Sequence, residues 1–290
     1  IALRILVVSQ YFWPEQFLIN ELVLDLVKDG HEVVVLTGEP NYPSGDIYPD
    51  YLLDKGKYSH FSGVEIHRAS LIPRGEGGVK RILNYISFML TSSFKLRKLL
   101  KQEKFDVVFF FQLSPIFSGL AAVLYKKFRG VPLVTWEQDI WPETLSATGQ
   151  VNNKYALTLV GLFVDFIYRN SDYILIQSEK FKDLIVERCS EPSKIHYFPN
   201  WADSVFTSEK ILPDNFYKKK SGVFDIVFAG NIGEAQDFDT IIGAVNIIKQ
   251  LKNYRVVVVG DGRVKARSLK KINELGLGDK FLFLGRHSVE

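Results

Sequence analysis

Apolar residues fall into two rhythms along this chain. Unbroken runs such as Ile5–Val8 and Val107–Phe111 read as strands buried on both faces. Between them, apolar positions recur every three or four residues, as on amphipathic helices. The first strand runs into QYFWPE, and a helix follows at Ile19–Lys28 that Gly30 stops. Strand Glu32–Leu36, the Pro- and Gly-rich loop Pro40–Asp50, strand Val64–Ala69 and loop Leu71–Gly78 come next. A long helical stretch then reaches Lys104, ahead of strand Val107–Phe111, helix Ile116–Arg129, strand Pro132–Trp136 and the polar loop Glu137–Gly149. Helix Tyr155–Arg169, strand Tyr173–Gln177, helix Glu179–Arg188 and strand Lys194–Tyr197 complete the series. Such alternation predicts an α/β fold, a mostly parallel sheet with helices on both faces.

The pattern then restarts. Residues 203–222, with Pro213 and the run Lys218–Lys220, read as a linker. Beyond it, strand Asp225–Ala229 runs into GNIGEAQ. Helix Asp239–Gln250, strand Arg255–Val259, helix Lys265–Leu275 and strand Lys280–Leu284 follow. Two doubly wound domains are expected, 1–202 and 203–290, facing a cleft that binds two ligands and joins them. Three strands are few for such a domain, so the second is expected to be incomplete.

Composition changes this picture little. A length of 290 residues suffices for two domains, and 47% hydrophobic with 24% charged residues is ordinary for a globular protein. One cysteine, Cys189, excludes an internal disulfide framework and points to a reducing compartment. No uncharged apolar stretch reaches the roughly 18 residues of a membrane span. The opening IALRILVVSQ reads as a core strand, not a leader. Charge matters more. Between Lys80 and Lys104, seven basic residues face one acid, Glu103, with apolar residues interleaved. This helix, 79–104, either packs on the sheet with its lysines in water or also lies on an anionic membrane surface.

Candidate chemistry sits at the strand ends, where open α/β sheets bind ligands. The loop EQDIWPE gathers Glu137, Asp139 and Glu143, and Asp139 with Glu137 can orient a sugar hydroxyl or take its proton. Trp136 and Trp141 are candidates to stack on a sugar face. Tyr11, Trp13 and Glu15 after the first strand, with Asn41 and Tyr42 in the stiff PNYPSG loop, suit an acceptor pocket. In the second domain, Gly230, Asn231, Gly233 and Gln236 lead into a helix whose free N–H groups favour a diphosphate, although Glu234, Asp237 and Asp239 oppose it. The turn Gly260-Asp261-Gly262, with Arg263 and Lys265 behind it, suits a nucleotide. The five histidines show no ligand spacing, so no metal is expected. P-loop and G-x-S-x-G motifs are absent, and no strand alternates aromatic with basic residues as nucleic-acid readers do.

Six motifs in order, SQYFWPE at 9–15, LTGEPNYPSG at 36–45, EQDIWPETLSATG at 137–149, YFPNWAD at 197–203, FAGNIGEAQ at 228–236 and VVGDG at 258–262, carry a resemblance. Together they resemble the retaining glycosyltransferases of family 4, with the GT-B fold of two Rossmann-like domains. Within it they are similar to a bacterial O-antigen and capsule subfamily that includes N-acetyl-L-fucosamine transferases. The resemblance implies a nucleotide-diphosphate sugar, a UDP-sugar, as substrate on the second domain, with no cofactor. It implies a lipid-linked glycan acceptor against the first domain. It also implies a cytoplasmic protein, peripheral on the inner face of the plasma membrane. The family's basic pair after the first strand of domain two is replaced here by Asn231 and Gln236. This shifts the diphosphate onto backbone N–H groups and Arg263 or Lys265. A histidine common in the family's loop has no match in EQDIWPE, and its polar role falls to Asp139. The family's E-x7-E motif has no match and is expected beyond residue 290. Two other readings share these features: a GT-B UDP-N-acetylhexosamine epimerase, and a non-catalytic sugar-nucleotide-binding scaffold.

Overall fold

In a computed structural model, the apolar runs become strands of two separate sheets. The structure describes residues 1–75, 78–113, 115–147, 151, 153–189, 191–202 and 217–287. The stretch 203–216 of the expected linker, the end of the EQDIWPETLSATG motif at 148–149 and Asp203 of YFPNWAD lie outside them. The chain divides into two compact units, Ile1–Trp201 and Ala202–Glu290.

In the first unit the elements are β1 (Arg4–Val8), α1 (Leu18–Lys28), β2 (Glu32–Gly38), α2 (Pro49–Leu53), β3 (His60–Phe61), β4 (Val64–Ala69) and α3 (Gly78–Gln102). They continue with β5 (Val107–Gln112), α4 (Gly119–Arg129), β6 (Leu133–Glu137), α5 (Glu143–Ala147), α6 (Lys154–Asn170), β7 (Tyr173–Ile176), α7 (Glu179–Val186) and β8 (Ile195–Tyr197). The strands form one sheet in the order β3-β4-β2-β1-β5-β6-β7-β8. All neighbours are parallel except the β3/β4 pair. The chain winds outward from β1 on one side and from β5 on the other, so the switch point lies between those two strands.

Alternation along each strand builds two cores. Leu6, Val8, Val34, Leu36, Val108 and Phe110 pack with buried residues of α3, α4 and α6. Ile5, Val7, Val33 and Val35 pack on the opposite side with Ile19 and Val23 of α1. Each fully buried side chain of this kind stabilises the fold by roughly 1.5–3 kcal/mol. The two-residue strand β3 and the short helices α2 and α5 escape the pattern reading, because so few residues show no period. Glu137, expected to open the polar loop, instead closes β6.

The second unit holds β9 (Phe224–Ala229), α8 (Phe238–Ile247), β10 (Tyr254–Val259), α9 (Lys265–Glu274) and β11 (Phe281–Gly285). Its described strands form a parallel sheet, ordered β11-β10-β9. Phe238, Ile242, Val256, Val258 and Ile272 are buried together in its core.

Candidate active site

Three loops at the carboxyl ends of β1, β2 and β6 carry the expected residues of the first unit. Each contains a cis X–Pro bond: Trp13–Pro14, Tyr42–Pro43 and Trp141–Pro142. Glu15 joins the first two. It is 2% exposed, and Oε1 accepts the backbone N–H groups of Asn41 (2.9 Å) and Tyr42 (2.7 Å). Burial pushes its carboxyl up to about 7 despite these donors. Glu15 is therefore a clamp between loops, a correction to its reading as an acceptor contact. Arg68 fastens the same region from β4, donating to the carbonyls of Trp13, Gly38 and Tyr58. Tyr11 is buried, with Phe17 and Tyr42 ring centroids 5.5 and 5.7 Å away. Trp13 is half-buried and stacks on Phe61. Tyr42 remains exposed, and Asn41 Oδ1 is buried with no hydrogen-bond partner among the described residues.

At the end of β6, two carboxylates two positions apart in the chain meet different surroundings. Glu137 is fully buried, and burial, followed by the charge of Asp139, holds its carboxyl well above the usual range. Its expected place in a solvated loop is corrected: the strand carries it inward. Asp139 is half-buried; Trp141 Nε1 donates to its Oδ2 at 3.1 Å and its own N–H donates to Gln112 Oε1 at 3.3 Å. Trp141 is buried against Tyr85 and Phe117, and Trp136 against Phe111 and Trp201. Neither ring face is open to a sugar, which corrects the stacking expected of them.

An amide row went unread in the sequence. Consecutive sheet neighbours β1, β5, β6, β7 and β8 end in or lead to Gln10, Gln112, Gln138, Gln177 and Asn200. Asn200 Nδ2 donates to Gln138 Oε1 (2.8 Å) and Gln177 Oε1 (2.7 Å), and Gln177 Nε2 donates to the Gln138 carbonyl (2.8 Å). Such a neutral rim offers donors and acceptors suited to hydroxyls. The signal was an amide within three residues of each strand end.

In the second unit, the two glycine turns interlock. Ile232 N–H donates to the Asp261 carbonyl and Val264 N–H to the Ile232 carbonyl. A Cβ on Gly260 would lie 1.9 Å from the Gly230 carbonyl oxygen, and one on Gly262 2.3 Å from that of Ile232. Close backbone approach thus explains these glycines. Asn231 and Gln236 side chains meet over Gly233. The acids that seemed to oppose a phosphate are matched: Glu234 pairs with Arg267, Asp239 with Arg267 and Lys271, and Asp237 accepts from Thr240. Lys265 is tied to Asp261 at 3.0 Å, whereas Arg263 is exposed with no ion pair among the described residues.

Away from these loops, His67 approaches Glu65 (3.2 Å) and Glu103 (3.6 Å), a grouping that the spacing of histidines did not suggest. Arg4 lies 2.7 Å from Glu103, so a cation already serves that cluster.

The "Glycosyl transferase 4-like domain" family matches residues 18–201, and "Glycosyl transferases group 1" matches residues 213–290. A protein of Escherichia coli K12 named as a colanic acid biosynthesis glycosyl transferase, WcaI, is 25% identical over 280 residues. That match takes in 91% of this chain and 66% of WcaI, just under two thirds of it. Among solved structures, sucrose-phosphate synthase from Thermosynechococcus elongatus aligns with 99% of this chain and 71% of its own (TM-score 0.67, 12% identity). Anabaena HepE in complex with UDP and glucose aligns over 99% and 70% (0.59, 12%). A UDP-N-acetylglucosamine 2-epimerase does so over 99% and 70% (0.53, 12%). At such identities the likeness shows the fold alone, that of GT-B enzymes.

Proposed function

Since the chain belongs to the glycosyl transferase 4-like family, we propose that the protein is a retaining glycosyltransferase of bacterial surface-polysaccharide assembly. It moves a sugar, read as an N-acetylated deoxyamino sugar, from a UDP-sugar to a lipid-linked sugar acceptor. The name of WcaI and the UDP held by HepE support this reading. The observation that carries it is the contrast at the end of β6. Burial disfavours charge on Glu137, whereas Asp139 is half-buried and oriented by Trp141 and Gln112.

In this reading Asp139 orients the attacking acceptor hydroxyl, and Glu137 positions the strand end beneath it. Asn41, Tyr42 and the amide rim hold the rest of the acceptor. The turns at Gly230–Gln236 and Gly260–Gly262, with Arg263 and Lys265 at the start of α9, receive the diphosphate. The acceptor oxygen bonds to the anomeric carbon on the face that the diphosphate leaves. Negative charge grows on the departing phosphate, where backbone N–H groups and Arg263 stabilise it. The Asp237-Phe238-Asp239 pair calls for no metal in this reading, since Asp237 accepts from Thr240 and Asp239 pairs with Arg267 and Lys271. The protein sits on the inner face of the plasma membrane through α3, within reach of a lipid-linked acceptor.

A panel of nucleotide sugars, incubated with full-length protein and a membrane extract and read by mass spectrometry, tests the activity. A sugar added to a lipid-linked product is expected. Epimerised nucleotide sugar, or UDP released without an acceptor product, overturns it. Asp139→Asn is expected to cut turnover at least roughly tenfold with donor affinity nearly unchanged. Equal activity in variant and parent removes Asp139 from the reaction.

A further inference from the structure

α3 is apolar on two sides. Tyr85, Phe88, Leu96 and Leu99 are buried against the sheet, while Val79, Ile82, Leu83, Ile86, Leu90 and Phe94 are exposed, Val79 to 74% and Phe94 to 66%. Steps of three and four residues align the exposed set along one outward strip. No Asp or Glu occurs in α3, and the exposed cations Lys80 and Arg97 border the strip. α6 repeats the two-sided apolar pattern, and its one acid, Asp165, pairs with Arg188 at 3.3 Å. Val164, Ile167 and Tyr168 face inward, and Tyr155, Leu159 and Leu162 are exposed, Tyr155 to 85%. α4 touches both helices and has Ala121, Ala122 and Val123 fully buried.

Direction adds a second observation. Parallel strands require each crossover helix to run back from their carboxyl ends. α3 therefore begins beside the end of β4, and α6 beside the end of β6. The exposed apolar residues crowd the first two-thirds of α3 and the first half of α6. They border the rim that carries Asn41, Tyr42 and Asp139.

We propose that the outer strips of α3 and α6 enter an anionic lipid bilayer together and set the strand-end rim of the first unit at headgroup level. This deepens the membrane part of the function proposed above. The α3 strip, with a cationic border and no acid on its helix, matches a negatively charged lipid surface. Two strips on either side of a third helix need a broad, deformable occupant, not a peptide that fills one groove. Among the described residues no helix is long and apolar enough to cross a membrane, so both helices lie on it.

The test uses full-length protein with an environment-sensitive dye on Leu90→Cys or Leu159→Cys, and on Leu275→Cys in the second unit as control. Vesicles are phosphatidylcholine alone, or equal parts phosphatidylcholine and phosphatidylglycerol. A blue shift is expected at both first-unit positions on the anionic vesicles, weakening with salt, and none at the control. Leu159→Ser with Leu162→Ser should weaken vesicle partition roughly tenfold or more without lowering the melting temperature. A shift at position 90 alone overturns the two-helix footprint. No shift at either position overturns membrane contact, and sugar transfer to a soluble acceptor analogue in that same preparation would leave the transferase reading standing.

Discussion

Glu15 shows how far a single side chain can bind function to conditions. Its carboxyl, pushed up to about 7 from the ordinary 4.5, is held against two backbone N–H groups. A folded-state value above the unfolded one favours the protonated form. The stability from this group is therefore fully present below about 4.5 and is lost as pH rises toward about 7. The full span corresponds to roughly 3 kcal/mol. Glu15→Gln keeps the oxygen that accepts from Asn41 and Tyr42 and removes the titration. Denaturant midpoints across this window should fall with rising pH in the parent and stay flatter in the variant. Parallel curves would show that burial does not set the charge of Glu15. The Asp139 and Glu137 pair makes the same point about position. Both carboxylates, so close in sequence, read as catalytic candidates with Asp139 ahead, and the strand carries Glu137 inward.

At the scale of elements, the glycine turns of the second unit give a direct contrast. Gly262→Ala would place a methyl 2.3–2.6 Å from backbone atoms of Ile232, which cannot move aside cheaply, and should destabilise the protein by about 1–3 kcal/mol. Gly243→Ala, inside α8 with nothing within 4 Å, should stabilise it by about 0.5–1 kcal/mol. Thermal melts of the two variants check both signs, and equal shifts would show that the turns do not interlock. The strands were legible because runs such as Val107–Phe111 admit one reading. The inner side of α3 was not, since its apolar residues surround the helix and only burial sorts them. Trp136 and Trp141 misled for a related reason. β6 is covered on both faces, so parity along it carries no inside or outside, and an indole beside an acid reads alike in a core and at a sugar site. The amide row was present in the sequence but scattered over five strand ends that only the sheet order brings into line.

For the whole molecule, each unit holds its own core, with Leu6 and Phe110 in one and Phe238 and Val256 in the other. Calorimetry of the full-length protein should resolve two transitions. UDP should raise only the one assigned to the second unit, by about 2.7 kcal/mol at a hundred times its Kd. A shift in the first unit's transition would move the nucleotide to the other sheet. The last residues before the second unit are fixed from two directions. Trp201 stacks on Trp136 with centroids 5.4 Å apart and planes 15° from parallel, and its Nε1 donates to Glu21. Indoles so arranged share their excited states. The protein thus carries an unlabelled optical gauge at this junction: a coupled indole band in far-ultraviolet circular dichroism that persists while residue 201 keeps its seat and collapses when it leaves.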